Sequence, residues 1–144
     1  MMVRLAGSAD AEQLFVLNEQ FNGKNCTTVE NIRQSLSNNA QEVVAVAEED
    51  GILAGFVCAQ VKKSFCYKER YAEISEVFVN EAYRRRKIAS SMILFVEEYC
   101  MQNYEAYNFE LQTGEENLGA QALYRAIGYK SEHEILLRKR VRGE

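Results

Sequence analysis

Two β-rich runs, residues 42–48 and 52–65, are separated by little more than Asp50-Gly51. A turn this short joins its flanks in one way, as an antiparallel hairpin. Asp and Gly tolerate the positive φ it needs, and its twist matches that of paired strands. The first run contains Val43-Val44-Ala45-Val46. The second is interrupted at Gly55, which marks a bulge or a point where another backbone comes close. The rest of the chain has to be built outward from this hairpin.

Upstream, Val3-Arg4-Leu5 reads as a short strand. Ser8 or Asp10 can cap a helix in which Ala11, Leu14, Phe15, Leu17 and Phe21 recur near helical spacing, and residues 22–25 break it. Thr27 or Thr28 caps a second helix with Val29, Ile32 and Leu36 on one face and Glu30 or Asn31 in its first turn. Downstream, residues 71–79 read as a strand. Ile88, Met92, Phe95 or Val96, Tyr99 and Cys100 then form a helical stripe, and Tyr107, Phe109 and Leu111 alternate as a strand. Ala120, Leu123, Tyr124 and Ile127 define a short helix stopped by Gly128, and residues 129–137 read as a last strand.

The predicted order is β, α, α, β, β, β, α, β, α, β. Strand–helix–strand over residues 71–111 predicts a right-handed crossover between parallel neighbours. The fold class is therefore α/β, a mixed, mostly antiparallel twisted sheet with helices on both faces. With no proline, repeat or low-complexity stretch to mark a boundary, residues 1–144 read as one domain.

A net charge of −4 weighs against nucleic acid or an anionic membrane as partner and suits a cationic amine. The chain opens without a signal peptide, and no apolar stretch approaches the ~20 residues of a membrane span. The four cysteines lack metal-ligand spacing and His133 is the single histidine, so no metal is expected. The thiols read as free and mostly packed, in a reducing cytoplasm. His133, within Ser131-Glu132-His133-Glu134, reads as an exposed strand-end residue rather than a catalyst.

Chemistry concentrates at two places. In Val77-Phe78-Val79-Asn80-Glu81-Ala82-Tyr83-Arg84-Arg85-Arg86-Lys87-Ile88-Ala89 a strand passes through a basic turn into a helix. Unpartnered backbone N–H groups, the helix dipole and four cationic side chains converge there, a suitable place for phosphate or pyrophosphate. The plainer reading is a solvated basic turn. The second segment is Asn117-Leu118-Gly119-Ala120-Gln121-Ala122-Leu123-Tyr124-Arg125-Ala126-Ile127-Gly128-Tyr129, where Tyr124 taken alone reads as a core aromatic.

In this order and spacing the two segments resemble the GNAT superfamily of acetyl-CoA-dependent N-acetyltransferases, with some likeness to the aminoglycoside 3-N-acetyltransferase branch. Arg84-Arg85-Arg86-Lys87-Ile88-Ala89 occupies the place of its phosphate loop, Arg/Gln-x-x-Gly-x-Gly/Ala. Asn117, Ala120, Leu123, Tyr124, Gly128 and Tyr129 match Asn-x-x-Ala-x-x-Leu-Tyr-x-x-x-Gly-Phe/Tyr. Lys87 departs from the pattern, standing where the family usually has glycine; its β-carbon crowds a phosphate while its ammonium attracts one.

The resemblance implies acetyl-CoA as cosubstrate and transfer of its acetyl group to a primary amine, such as an aminoglycoside, a polyamine or a lysine side chain. It further implies that Val77, Phe78 and Val79 bond the pantetheine arm through their backbone and that residues Arg84, Arg85, Arg86, Lys87, Ile88, Ala89 and Ser90 hold the pyrophosphate. Asn117 would contact the cofactor arm, and the Tyr124 hydroxyl would protonate the departing thiolate. An amine of pKa ~10 must lose a proton before it attacks, so a carboxylate near the acceptor is needed. Glu73 and Glu76 are the candidates, with Glu73 expected as base and Glu76 as acceptor ligand. On an ideal strand they face opposite sides, and only a bulge brings them together. A GNAT-fold module that binds acetyl-CoA without turnover is the alternative, and a homodimer is left open.

Overall fold

The computed structural model of the chain describes residues 1–142. Five strands form one sheet in the order β1 (Met2–Leu5), β2 (Glu42–Glu49), β3 (Ile52–Lys62), β4 (Tyr71–Val79), β5 (Phe109–Leu111). The first four pair antiparallel and β5 runs parallel to β4. Helices α1 (Ala11–Asn22) and α2 (Val29–Ser37) lie on one face, while α3 (Ile88–Tyr104) and α4 (Leu118–Ala126) lie on the other. This is the mixed, mostly antiparallel α/β sheet that the sequence predicts, including the crossover from β4 through α3 to β5.

The hairpin turn has Asp50 at φ 53° and Gly51 at φ 80°, the two positive angles of a type I′ turn. Apolar layers cover both faces of the sheet. Val57, Ala59, Ala72 and Ile74 pack with Met92, Ile93 and Val96 of α3, all fully or nearly fully buried. On the opposite face Val46, Leu53, Phe56 and Phe78 meet Leu14 and Leu17 of α1. Gly55 has a steric role. A β-carbon on it would lie 2.3 Å from the carbonyl oxygen of Phe78, so β3 and β4 approach here as only glycine allows.

Two irregularities shape the sheet. The β2–β3 ladder shifts between Ala47 and Glu48, beside Gly55. The β3–β4 ladder pairs Ala59 with Ile74 and Cys58 with Glu76, which leaves Ser75 as an extra residue, its hydroxyl donating to the Cys58 carbonyl at 3.3 Å. A bulge bends the strand that carries it. The β4–β5 ladder ends at that bend, its last pair being Ile74 and Leu111.

Several local expectations change. The strand predicted over residues 52–65 stops at Lys62, and Phe65 lies in an exposed loop. Of the predicted strand from Tyr107 to Leu111 only Phe109–Leu111 joins the ladder. Thr28 caps α2, accepting from the Asn31 N–H at 3.0 Å. Neither Ser8 nor Asp10 caps α1 through its side chain; instead Asp10 closes the preceding turn by accepting the Gly7 N–H at 2.8 Å. Its carboxylate also takes a two-pronged hydrogen bond from Arg4 at 2.8 and 2.9 Å, and Arg4 reaches Glu48 at 2.7 Å. That pairing drops the Asp10 carboxyl below its ordinary range. The last strand, predicted over residues 129–137, is absent from the sheet: the segment has no regular structure and residues 130–142 are exposed. Alternation along that segment supplies an amphipathic strand but not a partner for it. Among the described residues no helix is long and apolar enough to cross a membrane.

Candidate active site

The bend at Ser75 opens the sheet. Residues 76–79 of β4 pair with β3 on one side, but β5 does not accompany them on the other. Their backbone groups on that edge are left for a partner other than the sheet. A cavity of about 220 Å³ occupies the opening, lined by Phe21, Ser75, Glu76, Val77, Gln112, Thr113, Asn117 and Tyr124 among others. The first of the two segments singled out for chemistry contributes Val77 to this slot and the second contributes Asn117 and Tyr124, while residues 84–90 of the basic loop lie outside its lining.

At the end of β4 the chain makes a short 3₁₀ turn, Glu81–Tyr83, and enters α3 at Ile88. Lys87, the residue before α3, supplies no side-chain cap, and the first α-helical bond runs from Ser91 to the Lys87 carbonyl at 3.1 Å. The N–H groups of Ile88, Ala89 and Ser90 thus have no helical acceptor, the arrangement that suits an anion. Arg85 and Lys87 both adopt left-handed backbone, at φ 66° and 59°. This explains in conformational terms why glycine is usual at the Lys87 position: the loop turns there through a region that costs an L-residue ~1 kcal/mol.

The basic side chains are already positioned. Arg84 donates from Nε to the Val79 carbonyl at 3.0 Å and lies over the Phe78 ring. Arg86 pairs with Glu49 at 2.7 Å and lies over Tyr83. Arg85 and Lys87 are exposed. Ile88 is buried in the core, so its contribution to the loop is its N–H alone; Ala89 and Ser90 are half-buried.

Asn117 caps α4, its Oδ1 accepting from the Ala120 N–H at 3.1 Å, and also lines the slot. Tyr124 is half-buried on the same wall, and its hydroxyl has no hydrogen-bond partner among the described residues. Burial raises its phenol above the ordinary value, so the proton is retained at neutral pH. Tyr129, its edge-on neighbour, donates to Glu97 at 2.6 Å and fastens the end of α4 to α3.

The bulge settles which way the two glutamates face. Glu73 stands opposite Gln60 and Glu76 opposite Cys58, so the extra residue between them puts both on the α1 face. Their surroundings differ. Glu73 is ion-paired with Lys62 at 2.8 Å and lies outside the slot lining. Glu76 lines the slot and its carboxyl is held above the usual carboxylate range. Burial is the largest cause, followed by the charges of Glu42 and Glu73, while a hydrogen bond with Asn22 works the other way. Burial likewise pushes the Cys58 thiol up, so it stays neutral.

Sequence reasoning missed Glu42, Asn22, Phe21, Gln112 and Thr113. Glu42 accepts from Gln60 at 3.0 Å and from Ser35 at 3.3 Å, on the sheet face of Glu76. Counting back from Asp50-Gly51 gives its register only if the hairpin is regular, and the shift at Ala47 spoils the count. His133 is exposed and away from the slot.

The sequence profile described as acetyltransferase (GNAT) family matches residues 11–129. N-acetyltransferase 8 of Homo sapiens is 28% identical over 106 residues, 73% of this chain and 46% of that protein, so the chain spans about half the length of this relative. The structure of a ribosomal-protein-alanine N-acetyltransferase from Brucella melitensis biovar Abortus 2308 superposes with a TM-score of 0.81 at 16% identity, covering 96% of this chain and 99% of that one. The aminoglycoside N-acetyltransferase AAC(6')-Iy in complex with CoA gives 0.79 at 21% identity, with 96% and 99% covered. These two likenesses speak for the fold. The profile match spans both chemical segments, and on it the chain belongs to the acetyltransferase (GNAT) family.

Proposed function

We propose that the protein transfers an acetyl group from acetyl-CoA to a primary amine. The observation that carries this reading is the slot itself. One opening joins an unaccompanied strand edge, a phenol that keeps its proton and a half-buried carboxylate, and the uncapped start of α3 follows the end of that strand. The residues present fit acetyl-CoA. The backbone of residues 75–79 suits the amides of a pantetheine arm, added as a strand would be. The N–H groups of Ile88, Ala89 and Ser90, with Arg84, Arg85, Arg86 and Lys87 around them, suit a pyrophosphate. The CoA-bound state of a fold neighbour supports the same assignment.

When bound, acetyl-CoA supplies an acyl group on a thioester sulfur. Glu76 accepts a proton from the incoming ammonium, directly or through water, and the freed amine nitrogen forms a bond to the acyl carbon. As the carbon–sulfur bond breaks, the Tyr124 hydroxyl gives its proton to sulfur, and the second proton lost by the nitrogen passes, directly or through water, to the Tyr124 oxygen and restores the hydroxyl. Glu76 is preferred over Glu73 as base because it lines the slot and burial brings its proton affinity nearer neutrality. Glu73 is already occupied by Lys62. Glu42 and Glu76 on one face support a cationic acceptor, such as an aminoglycoside, a polyamine or a lysine side chain.

The test is a set of rate–pH profiles with one polyamine and one aminoglycoside. Glu76→Gln is expected to lower the rate at neutral pH by about a hundred- to ten-thousand-fold and to recover partly above pH ~10, where the amine ionises unaided. Tyr124→Phe should lower turnover while leaving the acetyl-CoA Michaelis constant nearly unchanged, since only a hydroxyl is lost. Glu73 is paired with Lys62 and lies outside the slot lining, so Glu73→Gln should leave the profile much closer to wild type than Glu76→Gln does. Wild-type profiles from Glu76→Gln together with full activity of Tyr124→Phe would refute these two roles, whereas acetyl-CoA binding with no acetyl transfer from the wild type to any amine would leave an acetyl-CoA-binding module without turnover as the better reading.

A further inference from the structure

The basic loop assigned to the pyrophosphate carries a carboxylate at its rim. Glu49 meets both ends of the Arg86 guanidinium, accepting from Nη2 at 2.7 Å and from Nη1 at 3.4 Å. By charge alone, a carboxylate beside a bound phosphate works against affinity. Nor does the pair do much for folding, since ion pairs this open to solvent contribute little. Its place in the fold gives it another use.

Glu49 is mounted on a fixed part of the sheet. It is the last residue of β2 and pairs with Ile52 across the Asp50-Gly51 turn. Gln13 of α1 clasps that turn, donating to the Gly51 carbonyl at 3.0 Å and accepting the Leu53 N–H at 2.9 Å. The end of β4 is tied to the same region. The Asn80 N–H donates to the Ala54 carbonyl at 2.8 Å, and the Asn80 side-chain amide donates to Gln20 of α1 at 2.8 Å. Strand alternation then divides two neighbouring glutamates. Glu48 turns to Arg4 and Asp10 beside α1, and Glu49 turns to the other face, where the chain enters α3.

The loop itself has little of this regularity. Arg85 and Lys87 both adopt left-handed backbone, at φ 66° and 59°, which each L-residue disfavours several-fold. Arg86 stands between them. Its guanidinium lies over the Tyr83 ring and ties this strained stretch to β2, 37 positions away. We infer that Glu49 is a positioning residue for acetyl-CoA. By fixing Arg86 to the hairpin it holds residues 85–87 in the left-handed turn that leaves the N–H groups of Ile88, Ala89 and Ser90 open to the pyrophosphate. The inference rests on the acetyl-CoA reading above. A loop released from Glu49 spends only part of its time in that turn, and affinity falls in proportion to the competent fraction.

The test is calorimetric titration of the full chain with acetyl-CoA, and its sign is diagnostic. Glu49→Gln keeps the shape of the side chain and removes a negative charge, so charge alone predicts tighter binding. Positioning predicts the reverse: the Kd should rise about tenfold as the competent fraction falls to about one-tenth. In an Arg86→Gln background the same substitution should leave the Kd unchanged or lower it, because no tether remains to be lost. Steady-state rates should show the loss in the acetyl-CoA Michaelis constant alone, with kcat and the acceptor's Michaelis constant within about twofold of wild type. The melting temperature should fall by no more than about 3 °C, as expected for an exposed pair. A Glu49→Gln protein that binds acetyl-CoA as tightly as wild type, or more tightly, overturns the inference. So does an equal loss of affinity in the Arg86→Gln background. A wild type that binds no acetyl-CoA removes the acetyl-CoA reading itself, and this inference with it, before any variant is compared.

Discussion

Gly55→Ala is the sharpest single perturbation of the slot, although the residue lies outside it. The added β-carbon would sit 2.3 Å from the Phe78 carbonyl oxygen and 3.0 Å from the Val79 α-carbon. Ordinary non-bonded contact begins near 3.5 Å, so one strand has to move by about 1 Å. Neither obstacle is a flexible side-chain end; both are backbone of β4, in the stretch whose free edge faces the slot. Phe78 is held in turn by Phe21, with ring centroids 5.1 Å apart, and by Phe56 at 6.0 Å. Overpacking of this kind costs about 1–3 kcal/mol. For a chain of this size that lowers the melting temperature by about 3–10 °C. Misplacing reacting groups by about 1 Å can cost a hundred-fold in rate, so turnover should fall with stability. The same substitution at Gly119, in α4, meets nothing within 4 Å and serves as control, expected neutral to stabilising by about 0.5 kcal/mol. Thermal melts and acetyl-transfer rates of the two variants measured side by side check the argument. A Gly55→Ala protein that melts with the wild type and retains its rate refutes it.

Two other outcomes follow from charges and angles. Asp10→Asn removes a carboxylate whose proton affinity is depressed by Arg4, so the stabilisation exists above the unfolded pKa of ~3.9 and is lost as pH falls through the lower folded value. Denaturant titration should find the variant weaker by about 1.5–3 kcal/mol at pH 7, with the gap narrowing as the pH is taken below ~3.9; a gap that stays constant as the pH falls would argue against the pair. Lys87→Gly relieves left-handed backbone at φ 59° and should raise stability by up to about 1 kcal/mol, whereas a lower melting temperature would show that the lysine side chain holds the loop.

The elements legible from sequence are those whose signal is local. Asp50-Gly51 fixed the hairpin, the stripe from Ile88 to Cys100 fixed α3, and the spacing around Tyr124 fixed α4. Gly55 was readable as a close approach because few other reasons place glycine inside a strand. What escaped depends on partners far along the chain. Glu48 joins Arg4 from 44 positions away, and Lys62 takes up Glu73 through a diagonal contact between adjacent strands. The bulge at Ser75 has no signature of its own, although the sequence did show that the facing of Glu73 and Glu76 hung on one. The end of the second hairpin strand was overrun because Phe65 is as apolar as a strand residue, and apolar identity does not reveal exposure.

The bulge also makes the length of β4 a heritable property separate from its composition. Ser75 is surplus to the ladder, so its deletion would leave Glu76 and Phe78 on the face they occupy now, each still alternating correctly from Ile74. The strand would lose its bend, however, and the β5 ladder could then continue past Ile74 and Leu111 and zip the opening shut. No residue named in the chemistry would have changed identity or side. Alignment columns would score every proposed catalytic position as present, and the frame of the slot would have been removed by a gap of one.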